Sequence, residues 1–346
     1  MKMRTTKQLA AFCLTAALAG CLVYVPPTVE PARGNSEMLV SVEQLSRRLA
    51  EANTVVLHVG RDRASYDAGH IPGARFLALS DIVTERDGVP NELPSVDALD
   101  QAFEAVGVSD DSRVVLYGDL AGLAAARAFF TLDYLGHTPA LLDGGLEAWR
   151  AANKEVATQP TTASRGSLTP APRPELVVDA DWVRAHLNDS TVVLIDARPP
   201  AEFSGETPGQ GVTRPGHITG AENVFWRNTI ISEADPRLRS AQVNRALFSV
   251  AGAVHNREAV FNAREADRRA KRDRELLSDS ARRAQSRQPR ADPEAARGST
   301  VVVYCRTGVQ ASYLYFVSRY LGYDTKMYDA SFIDWSRRGD AYPVER

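Results

Sequence analysis

One cysteine in this chain stands where a sulfur atom can act as a nucleophile. Cys305 follows the apolar run Val301-Val302-Val303-Tyr304 and precedes Arg306-Thr307-Gly308-Val309-Gln310. A short β-branched run reads as a buried strand, and Gln310 to Leu321 reads as the helix that follows. At such a junction the loop N–H groups and the helix N-terminus converge on one point, which makes an anion site. That setting lowers a thiol pKa and stabilises the thiolate. Gly308 permits the tight curl that turns several N–H groups inward. Arg306 adds a positive charge at the rim. The set suits attack on an anionic substrate, or the holding of an anionic intermediate. The competing reading is a small buried hydrophobe with no chemistry.

The other cysteines sharpen this reading. The chain has 3. Lys2, Arg4 and Lys7 followed by the apolar stretch Leu9 to Ala19 read as an export signal over residues 1–21. The stretch is short of the roughly 20 apolar residues of a permanent span. Leu18-Ala19-Gly20-Cys21 resembles the bacterial lipobox, so Cys21 is the expected lipidation site; a plain secretory signal is the alternative. Residue 22 is Leu rather than Asp, which favours the outer membrane. The expected location is therefore the bacterial cell envelope, lipid-anchored and facing the periplasm. Cys13 leaves with the signal, so Cys305 is the one free thiol of the mature chain. It has no partner for an internal disulfide, and it is not a structural staple.

The elements around Cys305 occur twice. Thr54 to Val59 matches Thr191 to Asp196, and Gly69-His70-Ile71 matches Gly216-His217-Ile218. Arg113 to Tyr117 matches Thr300 to Tyr304, and the helical stretches Leu123 to Leu135 and Gln310 to Leu321 both end at Leu-Gly. Each copy closes on a tryptophan, Trp149 and Trp335. Alternating strands and helices mean an α/β fold of tandem domains, each a parallel sheet flanked by helices. The expected layout is a tether at 22–37, a first domain at 38–155, a linker at 156–174 and a second domain at 175–346. From the repeated His to the position of Cys305 the copies span 48 residues (70 to 118) and 88 residues (217 to 305). The extra segment, about 254–297, is dense in both charges. It reads as a solvated helix followed by a disordered stretch near Gln288 to Pro293, or alternatively as a docking element for an acidic partner or anionic lipid.

The Val-Val-Tyr-Cys-Arg-x-Gly turn, Asp196-Ala197-Arg198, Arg214-Pro215-Gly216-His217-Ile218 and the closing Asp–Trp segment together resemble the rhodanese superfamily. The chain is similar to its two-domain thiosulfate and 3-mercaptopyruvate sulfurtransferases across nearly all of 38–346 apart from the insertion. In those proteins the first copy is inert, and here Gly118 stands at the position of Cys305. The resemblance implies a double displacement through a Cys305 persulfide. The donor is a small sulfur anion, and the acceptor is cyanide or a thiol. It also implies that Arg306, Thr307, Gly308, Val309 and Gln310 cradle the substrate. Arg198 and Arg214 are further candidates for gripping the anion, or else structural pins. The loop departs from the best-known thiosulfate pattern at Thr307 and Gln310, and Glu202 stands where the family often has a substrate-binding arginine.

Two rival activities suit such a fold. A phosphatase of this fold needs Cys-x5-Arg, and position 311 is Ala. A binding module, or a persulfide relay to a dedicated partner, would use the charged insertion for docking. The remaining expectations are no metal site, no organic cofactor, a monomer, and a membrane contact through the N-terminal lipid. The formal net charge of -2 gives no reason for a nucleic-acid partner.

Overall fold

The computed structural model describes residues 35–251 and 299–346, which lie within one compact unit. The export signal, Cys21, most of the tether and the segment 254–297 lie outside the described residues. The first half carries β1 Leu39–Val40, β2 Thr54–Gly60, β3 Arg75–Ala78, β4 Thr84–Arg86, β5 Val89–Glu92, β6 Arg113–Gly118 and β7 Ala140–Leu142. The second carries β8 Val177–Val178, β9 Val192–Asp196, β10 His217–Ile218, β11 Glu222–Asn223, β12 Thr300–Tyr304, β13 Asp324–Tyr328 and β14 Val344–Glu345.

Each half is built on a five-stranded sheet. The orders are β1-β7-β6-β2-β3 and, read the same way, β8-β13-β12-β9-β11. Every pairing within these two sheets is parallel. Helices cover both faces, so the central strands are apolar throughout rather than alternating. The tandem α/β architecture is the one that the repeat implies.

The duplication reaches down to single hydrogen bonds. Tyr117 Oη accepts from Ile71 N at 3.0 Å, and Tyr304 Oη accepts from Ile218 N at 3.2 Å. His70 stacks on Tyr66, and His217 stacks on Phe203. These matches correct the alignment of the first strands. Tyr117 faces His58 across the ladder, and Tyr304 faces Asp196. The counterpart of Asp196 is therefore His58, not Val59. The two runs are displaced by one residue from the match suggested by their shared Thr-Val-Val-Leu.

The halves meet along two helices, Leu123–Tyr134 and Val309–Leu321. Phe129 packs edge-on to Phe316 at 5.1 Å between ring centroids, and Phe130 to Tyr315 at 4.9 Å. Tyr315 Oη donates to Asp133 at 2.7 Å. Every residue from Leu123 to Asp133 is buried, because the helix lies between its own sheet and the other half. One apolar cluster consequently runs through both halves.

Each half also reaches over the other. After the antiparallel hairpin β4–β5, Leu93 N donates to Asp329 in the second half at 2.7 Å. At the bridge between Ile230 and Leu238, Leu238 N donates to Asp143 in the first half at 2.8 Å. The polar linker is laid along the first half. Gly166 N donates to Glu104 O, Ala171 N to Leu135 O and Arg173 N to Tyr134 O, each at 2.8 Å.

Candidate active site

Cys305 sits at the end of β12, on the C-terminal edge of a parallel sheet, where α/β proteins place their ligands. The chain turns through Arg306 and Thr307 to Gly308, which has φ 86° and caps the helix Val309–Leu321. Gly308 is required twice over. Its left-handed backbone disfavours a side chain, and an added Cβ would lie 2.7 Å from Asp329 Oδ1 and 3.1 Å from Arg127 Nη1. The turn is pinned from the closing helix. Cys305 N donates to Ser331 Oγ at 3.2 Å, Phe332 N to Cys305 O at 2.9 Å and Ile333 N to Arg306 O at 3.1 Å.

The backbone N–H groups of Ala311, Thr307 and Gln310 turn toward the thiol and favour its ionised form. Burial works against them. Cys305 is only 1% exposed, and desolvation pushes its thiol above the ordinary range, with the Asp196 carboxylate adding to the rise. The expectation of a lowered pKa is thereby corrected: the converging donors are present, but removal from water outweighs them.

The three arginines divide sharply. Arg198 is fully buried and closes a fork on Asp196, with Nε donating at 3.0 Å and Nη2 at 2.6 Å; Nη2 also donates to Gly216 O at 2.8 Å. Its guanidinium lies 4.1 Å from the centre of the Phe332 ring. Arg214 donates to Ser336 O at 3.0 Å and to Trp335 O at 2.8 Å, which caps the last turn of the helix Ser331–Arg337. Both are engaged as structural pins, so neither is placed as a gripping cation. Arg306 is half-buried, and its guanidinium has no hydrogen-bond or ion-pair partner among the described residues.

Glu202 lies close by. Its Oε2 is buried without a hydrogen-bond partner among the described residues. A Cβ added to Gly209 would lie 2.8 Å from Arg306 Cδ and 2.9 Å from Glu202 Oε2, so both side chains flank that loop. Thr307 Oγ1 accepts from Asn91 Nδ2 of the first half at 3.1 Å. Val309 and Gln310 form the first turn of the helix. Asn91 and Arg127 escaped the sequence reading. The available signal was an arginine inside the apolar run Ala124-Ala125-Ala126-Arg127-Ala128-Phe129-Phe130.

The matching place in the first half is closed. An added Cβ at Gly118 would fall on the Val59 carbonyl oxygen. His58 and Asp119 pair there at 3.2 Å, while the second half has the Asp196–Arg198 fork at this end of its sheet. Among the described residues no group of His, Cys, Asp and Glu is arranged to hold a metal ion.

Two doubly covered parallel sheets, one bearing a cysteine in a strand-to-helix turn and the other a glycine, define a tandem domain protein with one thiol site among the described residues. The rhodanese-like domain family matches residues 41–152 and 179–338, and the chain belongs to it. It is 29% identical over 312 residues to the sulfur carrier protein TtuD of Thermus thermophilus, covering 86% of this chain and 93% of that one. It is 36% identical over 213 residues to a probable 3-mercaptopyruvate sulfurtransferase of Pseudomonas aeruginosa, covering 58% of this chain and 74% of that one. A thiosulfate sulfurtransferase of Corynebacterium glutamicum is 27% identical over 315 residues, 86% of this chain and 87% of its own. Among solved structures, the 3-mercaptopyruvate sulfotransferase SseA of Escherichia coli matches with a TM-score of 0.65 at 22% identity, over 85% of this chain and 98% of that one. The anaerobic ergothioneine biosynthesis enzyme of Chlorobium limicola matches with a TM-score of 0.68 at 20% identity, over 89% of this chain and 70% of that one.

Proposed function

We propose that this member of the sulfurtransferase family carries sulfane sulfur as a Cys305 persulfide. The observation that supports it is the thiol at the focus of the Thr307, Gln310 and Ala311 N–H groups. The Cys305 thiolate attacks the outer sulfur of thiosulfate. A new sulfur–sulfur bond forms, the old one breaks, and its electron pair leaves with sulfite. With 3-mercaptopyruvate the carbon–sulfur bond breaks instead, its electron pair leaves as the enolate of pyruvate, and the proton of the donor thiol ends on that carbon. The persulfide anion then sits where the thiolate was, held by the same N–H donors. A thiol or cyanide attacks the outer sulfur and releases the Cys305 thiolate.

The donor follows from charge. With Arg198 and Arg214 engaged, Arg306 is the uncommitted cation of the three, and Glu202 stands beside it. A dianion such as thiosulfate meets little net positive charge, so the monoanion 3-mercaptopyruvate is the better donor. A persulfide relay to a protein acceptor is the second reading, and the likeness to a sulfur carrier protein favours it. Export through residues 1–21 and lipidation at Cys21 would place either activity on the envelope.

Intact-protein mass tests the proposal. The full chain carrying Cys13→Ser and Cys21→Ser is incubated with each donor. A gain of one sulfur atom, removed by cyanide and missing in Cys305→Ser, is expected. No gain from either donor would sink the direct-transfer reading and leave the relay.

A further inference from the structure

We infer that the inert first half completes the active site: Arg127, through its ion pair with Asp329, is a positioning residue for the Cys305 turn. This rests on Cys305 being the working nucleophile. Arg127 belongs to the helix Leu123–Tyr134 of the first half, and Asp329 follows β13 of the second. Nη1 donates to Oδ1 at 2.5 Å and Nη2 to Oδ2 at 3.1 Å. Arg127 is fully buried, and Asp329 nearly so.

The pair is the surface on which the turn rests. The backbone of Gly308 lies so close that even one added carbon would press on both partners. From Gly308 the helix starts whose first N–H groups aim at the thiol. A displacement of the pair therefore moves the donors that hold the sulfur. The charge matters as well. Asp329 alone would put an uncompensated carboxylate behind an anion site, and Arg127 cancels it.

Comparison of the halves shows what the pair is for. Arg127 and Tyr313 fall at matching places after their N-cap glycines, Gly122 and Gly308. Asp329 and Asp143 also match, since each accepts from the leucine N–H of the crossing segment. Where the turn bears Gly118, the aspartate faces a tyrosine. Where it bears Cys305, the aspartate faces an arginine. The arginine accompanies the sulfur rather than the fold.

The charged groups around the turn are Arg127 and Asp329 beneath it, Asp196 with Arg198 at the end of β9, Arg306 with Glu202 at the rim, and Glu92 with Arg86 on the hairpin β4–β5. Arg127 and Asp329 are varied in the test, and the others are left in place. The full chain with Cys13→Ser and Cys21→Ser, labelled with 13C at the cysteine Cβ, reports the Cys305 titration by NMR. Arg127→Met leaves the carboxylate bare, so the midpoint rises by about one pH unit; Asp329→Asn leaves the cation alone, so it falls by about as much. The double variant returns near the parent midpoint.

Arg127→Lys keeps the charge but loses the fork, so the midpoint holds while persulfide loading slows. A folded Arg127→Met with the parent midpoint overturns the inference. If Arg127→Met does not fold, Asp329→Asn decides alone, and a midpoint that fails to fall overturns it. The titration needs no sulfur donor. Failure of the parent chain to load sulfur would count against the sulfurtransferase reading, while the titration still decides on Arg127.

Discussion

Gly308→Ala isolates the fit of the Cys305 turn to its support. Gly308 and Gly220 have nearly the same left-handed backbone, with φ 86° and 76°. An L residue in that region costs about 1–2 kcal/mol. An added methyl at Gly220 meets nothing within 4 Å, whereas at Gly308 it lies 2.7 Å from Asp329 Oδ1 and 3.0 Å from Asp329 O. Overpacking of that kind adds about 1–3 kcal/mol. Gly220→Ala should therefore destabilise by about 1–2 kcal/mol from backbone strain. Gly308→Ala should destabilise by about 2–5 kcal/mol, the sum of strain and overlap. Urea unfolding measures both, and persulfide loading by mass is followed on the same samples. The Gly308 variant should load sulfur far more slowly, because its turn must lift off Asp329 and Arg127. Equal stability losses in the two variants, with parent loading in Gly308→Ala, would refute the claim that the turn is held by contact with that pair.

Four further outcomes follow. Gly118→Cys should gain no persulfide and should lower stability, since the new Cβ falls on the Val59 carbonyl; mass after donor treatment and thermal unfolding check both. Arg198→Met strands the buried Asp196 carboxylate and should cost about 3–5 kcal/mol, seen in urea unfolding. Glu202→Gln removes the negative charge beside Arg306 and should raise thiosulfate loading more than 3-mercaptopyruvate loading, as stopped-time mass measurements would show. Burial raises the Cys305 thiol, and the reactive form is the deprotonated one, so loading should climb as pH rises from neutral toward that raised pKa. A rate already flat at neutral pH would contradict the raised thiol.

Much of this was legible in the residues, and the failures have identifiable causes. The repeat, the strand–turn–helix around Cys305 and the blank position at Gly118 stand out because β-branched runs, glycines and a lone cysteine are local signals. The one-residue slip between Thr54–Val59 and Thr191–Asp196 has a physical reason. Central strands buried on both faces lack the polar alternation that fixes register. Arg198 and Arg214 stay open in the sequence between anion grips and structural pins, because a guanidinium in a turn serves a carbonyl or a sulfur anion equally well. Only the positions of Asp196, Gly216 and the last turn of Ser331–Arg337 decide between them. The thiol pKa was misjudged because donors can be counted along a loop, while depth of burial depends on what packs over it. Arg127 was missed for a related reason: its partner lies in the other copy, 202 positions away.

The two seam helices have a consequence for how such a chain can be made. During synthesis the first repeat is complete well before Val309–Leu321 emerges, yet among the described residues Phe129 and Phe130 have their aromatic ring partners on that later helix. A nascent first half thus waits with an aromatic face bare, and severing the gene at the linker would yield two sticky fragments rather than an inert module and an active one. Co-expression of the separated halves should recover soluble protein that neither half gives alone, and that outcome would make the repeat bearing Gly118 a folding partner of the one bearing Cys305.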